Sequence, residues 1–180
     1  TSNGGIWQPG DVIQAAIGQS DNAFTPLQLA TYCATIANNG TRLKTHLVKQ
    51  VTNYNRDQVI SETEPEVVAQ VDISEENLKT VQEAMKGVTQ SGGTANSVFG
   101  DYGITIAAKT GTAENPGHSD NVTFIAYAPY DDPEIAVAVV LEYGSRGTYS
   151  MNVAKDIFDA YFYGKTVDEN GNLVMPEETN

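Results

Sequence analysis

Basic residues, cysteines and histidines are all scarce in this chain of 180 residues, and each scarcity excludes a class of function. Only 10 lysines and arginines stand against 23 aspartates and glutamates, for a formal net charge of −13. A nucleic-acid-binding face needs clustered basic residues, so we expect no nucleic-acid partner. Cys33 is the single cysteine, which excludes an internal disulfide and a cysteine-based metal site, and we expect its thiol to lie in the core. His46 and His118 alone make no convincing set of metal ligands, and we expect no metal or other cofactor.

Long apolar runs are also missing. No stretch of about 18 apolar residues is present, so the sequence predicts no transmembrane helix. The first five residues, Thr1-Ser2-Asn3-Gly4-Gly5, have neither the basic nor the apolar part of a signal peptide, and they are typical of a chain trimmed from something longer. A hydrophobic share of 40% and a charged share of 18% fit a folded domain. We expect that domain to span residues 1–164, followed by an acidic, disordered tail over residues 165–180.

Three stretches have the hydrophobic spacing and the capping residues of helices. The first begins with Thr25 as N-cap and Pro26 at the first helical position, and it ends near Gly40, which tolerates the left-handed conformation. Ser74 caps the second helix, and the third covers residues 149–163. The apolar faces are predicted from residues three or four positions apart: Leu78, Val81, Met85 and Val88 in the second helix, and Val153, Ile157, Phe158 and Tyr161 in the third.

Runs of β-branched and apolar residues predict the strands. Residues 43–54 and 58–60 predict a hairpin, residues 6–24 predict mostly irregular structure, and the acidic residues 62–76 predict a solvated surface. Three later runs, separated by Gly, Pro and Asp, predict adjacent antiparallel strands at residues 104–109, 122–128 and 135–143. The order of elements therefore predicts an α+β fold, an antiparallel sheet flanked by helices.

One short motif stands out at the end of the first of these three strands. It is the segment Ala107-Ala108-Lys109-Thr110-Gly111-Thr112-Ala113-Glu114. A strand edge can pair with an extended peptide, a lysine on it places positive charge beside a substrate carboxylate, and a glycine lets the substrate approach the backbone. We expect Lys109 and its neighbours to lie on an edge strand beside an open groove, with Ile104 and Ile106 directed into the core.

Lys-Thr-Gly is a signature of penicillin-binding proteins and serine β-lactamases. The chain resembles, over roughly residues 12–163, the C-terminal part of the transpeptidase domain of class B penicillin-binding proteins, which has a β-lactamase/transpeptidase-like fold. Besides the motif, the resemblance is carried by several segments in the same order as in the family: Gly18-Gln19, Thr25-Pro26-Leu27-Gln28-Leu29-Ala30, Ile36-Ala37-Asn38-Asn39-Gly40, Gly93-Thr94-Ala95, and the closing strands with Pro129 and Pro133.

The resemblance implies roles for four residues of the motif. Lys109 would be the active-site strand lysine, which holds a substrate carboxylate and assists proton transfer. Thr110 and Thr112 would bind the carboxylate of D-Ala-D-Ala or of a β-lactam, the backbone N–H of Thr112 would form half of the oxyanion hole, and Gly111 would permit close approach. The implied activity is D,D-transpeptidation in peptidoglycan cross-linking, with the stem peptide and β-lactams as partners, outside the cytoplasm of a bacterium and attached to the membrane only through an upstream anchor.

The chain departs from the family pattern at the nucleophile. No serine is followed three residues later by lysine, so the Ser-x-x-Lys motif is absent. Ser20-Asp21-Asn22 matches the second family signature, Ser-x-Asn, but lies downstream of where the family carries it, and we interpret Ser20 as a loop residue. The resemblance therefore implies a fragment, inactive alone, whose serine would come from the missing N-terminal half of the same domain.

Two other functions remain open at this point. One is part of a β-lactamase or β-lactam sensor with the same fold, which the Thr-Pro-Leu-Gln-Leu-Ala helix disfavours. The other is a nucleophile-free module that holds a peptide without turnover, for binding or scaffolding.

Overall fold

The computed structural model describes residues 7, 9–19, 22–115 and 117–175. In this part of the chain the elements follow one another as α1 (Pro9–Ala16), α2 (Pro26–Ala37), β1 (Thr41–Leu43), β2 (Gln50–Thr52), β3 (Val59–Glu62), β4 (Val67–Gln70), α3 (Glu75–Gly87), α4 (Asn96–Phe99), β5 (Ala107–Ala113), β6 (Asn121–Ala128), β7 (Ile135–Leu141), α5 (Gly147–Tyr163), β8 (Thr166–Val167) and β9 (Leu173–Val174). No helix among these residues is long and apolar enough to cross a membrane.

The central sheet has three strands in the order β5-β6-β7, and both pairings are antiparallel. The prediction of three adjacent antiparallel strands is therefore confirmed. In the first pairing Lys109 lies opposite Ile125 and Thr112 lies opposite Val122. Within the described residues, β5 has a strand neighbour on one side only, so its other edge is free of strand pairing.

Helices cover both faces of this sheet. Side chains alternate between the faces of a strand, and both sets in β6 include buried apolar side chains. Phe124 and Ala126 face α4 and α5, where they pack in one core cluster with Met151 and Phe158. Tyr127 faces α2 and α3 and packs in a second cluster, together with Cys33, Ile36, Leu78 and Met85. This layered arrangement confirms the predicted α+β fold.

The helix starts follow from local capping. Thr25 accepts a hydrogen bond from the backbone N–H of Gln28, and the Gln28 side chain accepts one from the N–H of Thr25, which completes a capping box at the start of α2. Ser74 accepts a hydrogen bond from the N–H of Asn77 at the start of α3. Gly40 follows α2 with a φ of 81°, a left-handed conformation that glycine adopts without strain. Both helices form where the sequence predicts them, and in α3 Leu78 and Met85 are buried as expected, whereas Val81 of the predicted apolar face is 38% exposed.

The predicted apolar face of α5 is wrong for three of its four residues. Phe158 is buried, but Val153, Ile157 and Tyr161 are 41%, 38% and 51% exposed. The buried face consists of Ser150, Met151, Ala154, Phe158 and Asp159. Small residues on this face allow α5 to approach the sheet closely, and Asp159 is accommodated by polar partners, so hydrophobicity alone points to the wrong side of the helix.

The N-terminal half also differs from prediction in three places. Residues predicted as irregular contain α1, and the strand predicted at residues 43–54 is divided between β1 and β2. β2 pairs with β3 as the predicted hairpin, whereas β1 pairs with β4. β4 lies inside the acidic stretch that was predicted to be only solvated surface. Its partner is distant in sequence, so local patterning does not identify it.

Residues 165–175, which the sequence predicts to begin an acidic tail, contain a short hairpin. β8 and β9 pair across a turn in which the Asp168 carboxylate accepts hydrogen bonds from the backbone N–H groups of Asn170 and Asn172. Hydrogen bonds from Asn172 are the main reason that the pKa of Asp168 lies below its ordinary value. The predicted tail residues 176–180 lie outside the described residues.

A buried carboxylate on α5 connects the segment before β5 with the segment after α5. Asp159 on α5 is 3% exposed and accepts hydrogen bonds from Tyr102 Oη at 2.8 Å, Lys155 Nζ at 2.9 Å and Lys165 Nζ at 2.7 Å. Burial by itself would raise the pKa of Asp159, but the hydrogen bonds from Lys165, Lys155 and Tyr102 outweigh it and hold the pKa below its usual range. The charged form of Asp159 therefore stabilises the fold.

Replacing Asp159 by Asn should lower the free energy of unfolding at neutral pH by about 2 kcal/mol, since charge-assisted hydrogen bonds are lost. Because the folded pKa is depressed, the contribution of Asp159 is full above its unfolded pKa of about 3.9 and disappears as the pH falls through the lower folded pKa. Urea unfolding from pH 7 to pH 3 should show the difference between the two proteins shrinking. Asp156→Asn, at an exposed position of the same helix, is the matched control. A pH-independent difference would contradict this role.

Candidate active site

The Lys-Thr-Gly-Thr motif lies inside β5 and not at its end, because the strand continues to Ala113. Lys109 and Thr112 are exposed, and Thr110 and Gly111 are half-buried. The preceding Ile106 is fully buried in the core, and Ile104 packs against the same cluster. The predicted edge-strand position and the inward direction of both isoleucines are therefore confirmed.

The backbone of β5 offers alternate peptide groups to its free edge. In an antiparallel strand, the N–H and C=O of one residue point to the neighbouring strand and those of the next residue point away from it. Side-chain donors reach the carbonyls of Ile106, Thr110 and Thr112, all an even number of residues apart. These carbonyls belong to the outward set, and the N–H of Thr112 therefore also points to the free edge.

Three side chains occupy the outward carbonyls. Thr89 Oγ1 donates to Ile106 O at 2.7 Å, and this buried contact covers the start of the edge. Lys109 Nζ folds back along the strand and donates to Thr110 O at 2.7 Å. Gln19 Nε2 donates to Thr112 O at 3.3 Å, which brings the loop after α1 beside the motif. The edge thus presents one cation and a row of backbone hydrogen-bonding groups that an extended peptide can use.

The side chains of the motif divide between the two faces of the sheet. Lys109 and Gly111 share the face of α2 and α3 with Ala107, whereas Thr110 and Thr112 share the opposite face with Ala108. A ligand that contacts both the Lys109 ammonium group and the threonine hydroxyls must therefore lie along the edge itself, where the two faces meet.

The cross-strand neighbour of Gly111 leaves no room for a side chain at this position. Gly111 lies opposite Thr123 of β6, and a Cβ added at Gly111 would sit 2.2 Å from the Thr123 hydroxyl oxygen. The sequence predicts that Gly111 permits substrate approach, and it does not reveal Thr123, because the register of β5 on β6 is not visible in the sequence. Thr123 therefore fills the space over Gly111 on the face that carries Lys109.

The cysteine and one of the two histidines lie in surroundings that give no sign of catalysis or metal binding. Cys33 is buried, and burial raises the pKa of its thiol to about 12, which keeps it protonated and unreactive at neutral pH. His118 is an exposed loop residue whose ring lies 5.1 Å from that of Tyr143. Within the described part of the chain, no group of three or more His, Cys, Asp and Glu side chains is placed to hold a metal ion.

Of the Ser20-Asp21-Asn22 match, the structure describes only Asn22. Ser20 and Asp21 lie outside the described residues. The Asn22 side-chain amide donates to Ala15 O at 2.9 Å and to Gln19 O at 3.0 Å, so it closes the turn that follows α1. This contact gives the asparagine a structural role in the turn.

Gly111→Ala should destabilise the chain by about 1–3 kcal/mol, because the new methyl group overlaps the Thr123 hydroxyl. Thr123→Ala should restore most of that loss in the double variant, which thermal or urea unfolding of all four proteins would measure. Gly87→Ala is the control, since a Cβ there meets nothing within 4 Å. Simple addition of the two single effects would show that Thr123 is not the reason for Gly111.

Comparison with known proteins identifies relatives over most of the chain. The family described as penicillin binding protein transpeptidase domain matches residues 1–162. Penicillin-binding protein 2A of Bacillus subtilis is 37% identical over 172 residues, which cover 85% of this chain and 24% of the relative. Peptidoglycan D,D-transpeptidase MrdA of Haemophilus influenzae is 30% identical over 175 residues, which cover 86% of this chain and 26% of the relative. The chain thus spans about a quarter of the length of these curated relatives.

A solved structure agrees with the sequence comparison. Penicillin-binding protein A of M. tuberculosis, in its imipenem acyl-enzyme complex, superposes with a TM-score of 0.70 at 30% sequence identity. The match covers 83% of this chain and 33% of that one. The fold of the chain is therefore that of penicillin-binding transpeptidase domains.

Proposed function

The chain belongs to the penicillin-binding protein transpeptidase family, and on that premise we propose that it supplies the substrate-binding strand of a D,D-transpeptidase that cross-links peptidoglycan. The observation that carries the proposal is the placement of Lys109, Thr110, Gly111 and Thr112 on a strand edge, with the Thr112 N–H directed outward. The substrates are the stem peptide ending in D-Ala-D-Ala and, as inhibitors, β-lactams. The name of the H. influenzae relative, a peptidoglycan D,D-transpeptidase, supports the peptide substrate. The imipenem complex of the M. tuberculosis neighbour supports β-lactams as inhibitors.

In this proposal the peptide lies along the free edge of β5 as an added strand. The Lys109 ammonium group leaves the carbonyl of Thr110 and attracts the substrate carboxylate, to which the hydroxyls of Thr110 and Thr112 donate hydrogen bonds. The outward N–H of Thr112 donates to the oxygen that becomes negatively charged as the scissile carbonyl is attacked, a contribution of about 3–4 kcal/mol in comparable sites. Because the donors sit on a strand packed on both faces, they need little reorganisation during the reaction.

The nucleophilic serine, in this proposal, belongs to an upstream segment of a longer polypeptide. The chain contains no Ser-x-x-Lys, and it spans about a quarter of the length of its curated relatives. The site is complete only when that segment packs beside β5. The whole protein would act on the outer side of the bacterial cytoplasmic membrane, held there by an anchor that also lies upstream.

The isolated chain should form no covalent adduct with benzylpenicillin in intact-mass spectrometry, whereas the full-length protein should gain the mass of one drug molecule. In the full-length protein Lys109→Ala should slow acylation by roughly 10- to 150-fold, as expected for loss of a charge-assisted hydrogen bond. Lys79→Ala, at an exposed lysine of α3, should leave the rate unchanged. An adduct on any serine of the isolated chain would sink the proposal that the nucleophile lies elsewhere.

An apolar groove is open between α2 and the β1–β4 pair. It has a volume of about 680 Å³, and its lining includes Leu27, Tyr32, Leu43 and Val68, all of which are substantially exposed. Exposed apolar surface of this kind costs about 25 cal/mol for each Å² and commonly marks a contact site. We propose that the N-terminal half of the same domain packs over this groove. The proposed enzyme also needs that half because it supplies the nucleophilic serine.

The isolated chain should therefore self-associate or bind a hydrophobic dye, and sedimentation with dye fluorescence would measure both. Leu27→Gln together with Val68→Gln should reduce association, because both residues line the groove. Val51→Gln, at an exposed apolar residue outside the groove, should not. A compact monomer without dye-binding surface would favour the alternative of a nucleophile-free binding module.

A further inference from the structure

The turn that follows α3 meets the candidate site through one pair of hydroxyl groups. Thr94 Oγ1 lies 3.1 Å from Thr110 Oγ1, which is hydrogen-bonding distance. Among the described residues, Thr94 is the side chain that hydrogen-bonds to this oxygen. A hydroxyl has one proton to donate and two lone pairs that accept, so one threonine of the pair donates and the other accepts.

The residues on both sides hold Thr94 in this position. A Cβ added at Gly93 would lie 2.2 Å from the backbone oxygen of Val88, so only glycine permits the turn to pack this closely on the end of α3. Ala95 is fully buried, and its N–H donates to Val88 O at 2.9 Å. The Gly-Thr-Ala segment is thus anchored by its first and third residues, and the second projects toward β5.

A second anchor ties the same turn to the strand that carries the site. Thr89 Oγ1 donates to the outward carbonyl of Ile106 at 2.7 Å in a buried contact, and the Asn96 side chain donates to Thr89 O at 3.2 Å. These hydrogen bonds tie the turn to β5 and hold the backbone of Thr94 beside Thr110.

We propose that Thr94 is a positioning residue, whose hydroxyl donates to Thr110 Oγ1 and thereby directs the Thr110 proton to the substrate carboxylate. The inference rests on the proposed function, in which Thr110 binds that carboxylate. A carboxylate only accepts hydrogen bonds, so Thr110 must give it its single proton and can then only accept from Thr94. Thr94 fixes the rotation of the Thr110 hydroxyl before the substrate arrives, so less conformational freedom is lost on binding.

The test is acylation of the full-length protein by benzylpenicillin and by its methyl ester, which lacks the carboxylate. Thr94→Val removes the hydroxyl and keeps the shape, and it should slow acylation by the acid about fivefold to tenfold, the value of one hydrogen bond. It should leave the rate with the ester unchanged. Thr94→Ser keeps the hydroxyl and should stay within about twofold of the wild type on either compound.

A double-mutant cycle with Thr110→Val separates positioning from a merely structural effect. If Thr94 acts through Thr110, then adding Thr94→Val to Thr110→Val should slow acylation no further. Equal effects of Thr94→Val on acid and ester, or independent effects of the two substitutions, would overturn the inference while leaving the proposed function intact. If Thr110→Val itself does not distinguish acid from ester, the proposed role of Thr110 and the inference fail together.

Discussion

The antiparallel pairing of β5 with β6 is the constraint on which the candidate site depends. Because side chains and backbone groups both alternate along a strand, a shift of one residue would exchange the faces of Lys109 and Thr110 and turn the Thr112 N–H into the sheet. The register is held by burial on both faces. Ala107 and Tyr127 pack against α2 and α3, whereas Ala108 and Phe124 pack against α4 and α5.

The free edge of β5 is prepared by elements that do not belong to the motif. Thr89 covers the carbonyl at the start of the edge, and Gln19 reaches the last outward carbonyl of the motif. Thr94 contacts a hydroxyl of the motif, and Thr123 fills the space over Gly111. The site therefore combines a doubly packed strand with four side chains from three other segments: the loop after α1, the turn after α3, and β6. This arrangement keeps donor groups in place before a ligand binds.

Asp159 secures α5, the helix that packs on the sheet face shared by Thr110 and Thr112. Its buried carboxylate joins α5 to Tyr102, just before β5, and to Lys165, just after the helix. A carboxylate in this position is costly unless it is fully hydrogen-bonded, and three donors meet that requirement. The same cluster explains why the buried face of α5 is not its most hydrophobic one.

Local chemistry determined part of this protein from the sequence alone. The capping residues Thr25 and Ser74, the β-branched runs and the Lys-Thr-Gly-Thr motif act within a few residues of themselves, so the two helices, the three strands and the family were predictable. The tertiary structure alone decided which face of α5 is buried, that β1 pairs with β4, and that Thr94 and Thr123 stand beside Thr110 and Gly111. Those contacts join residues far apart in the chain, and they depend on strand register and helix rotation, which the packing of the whole core determines.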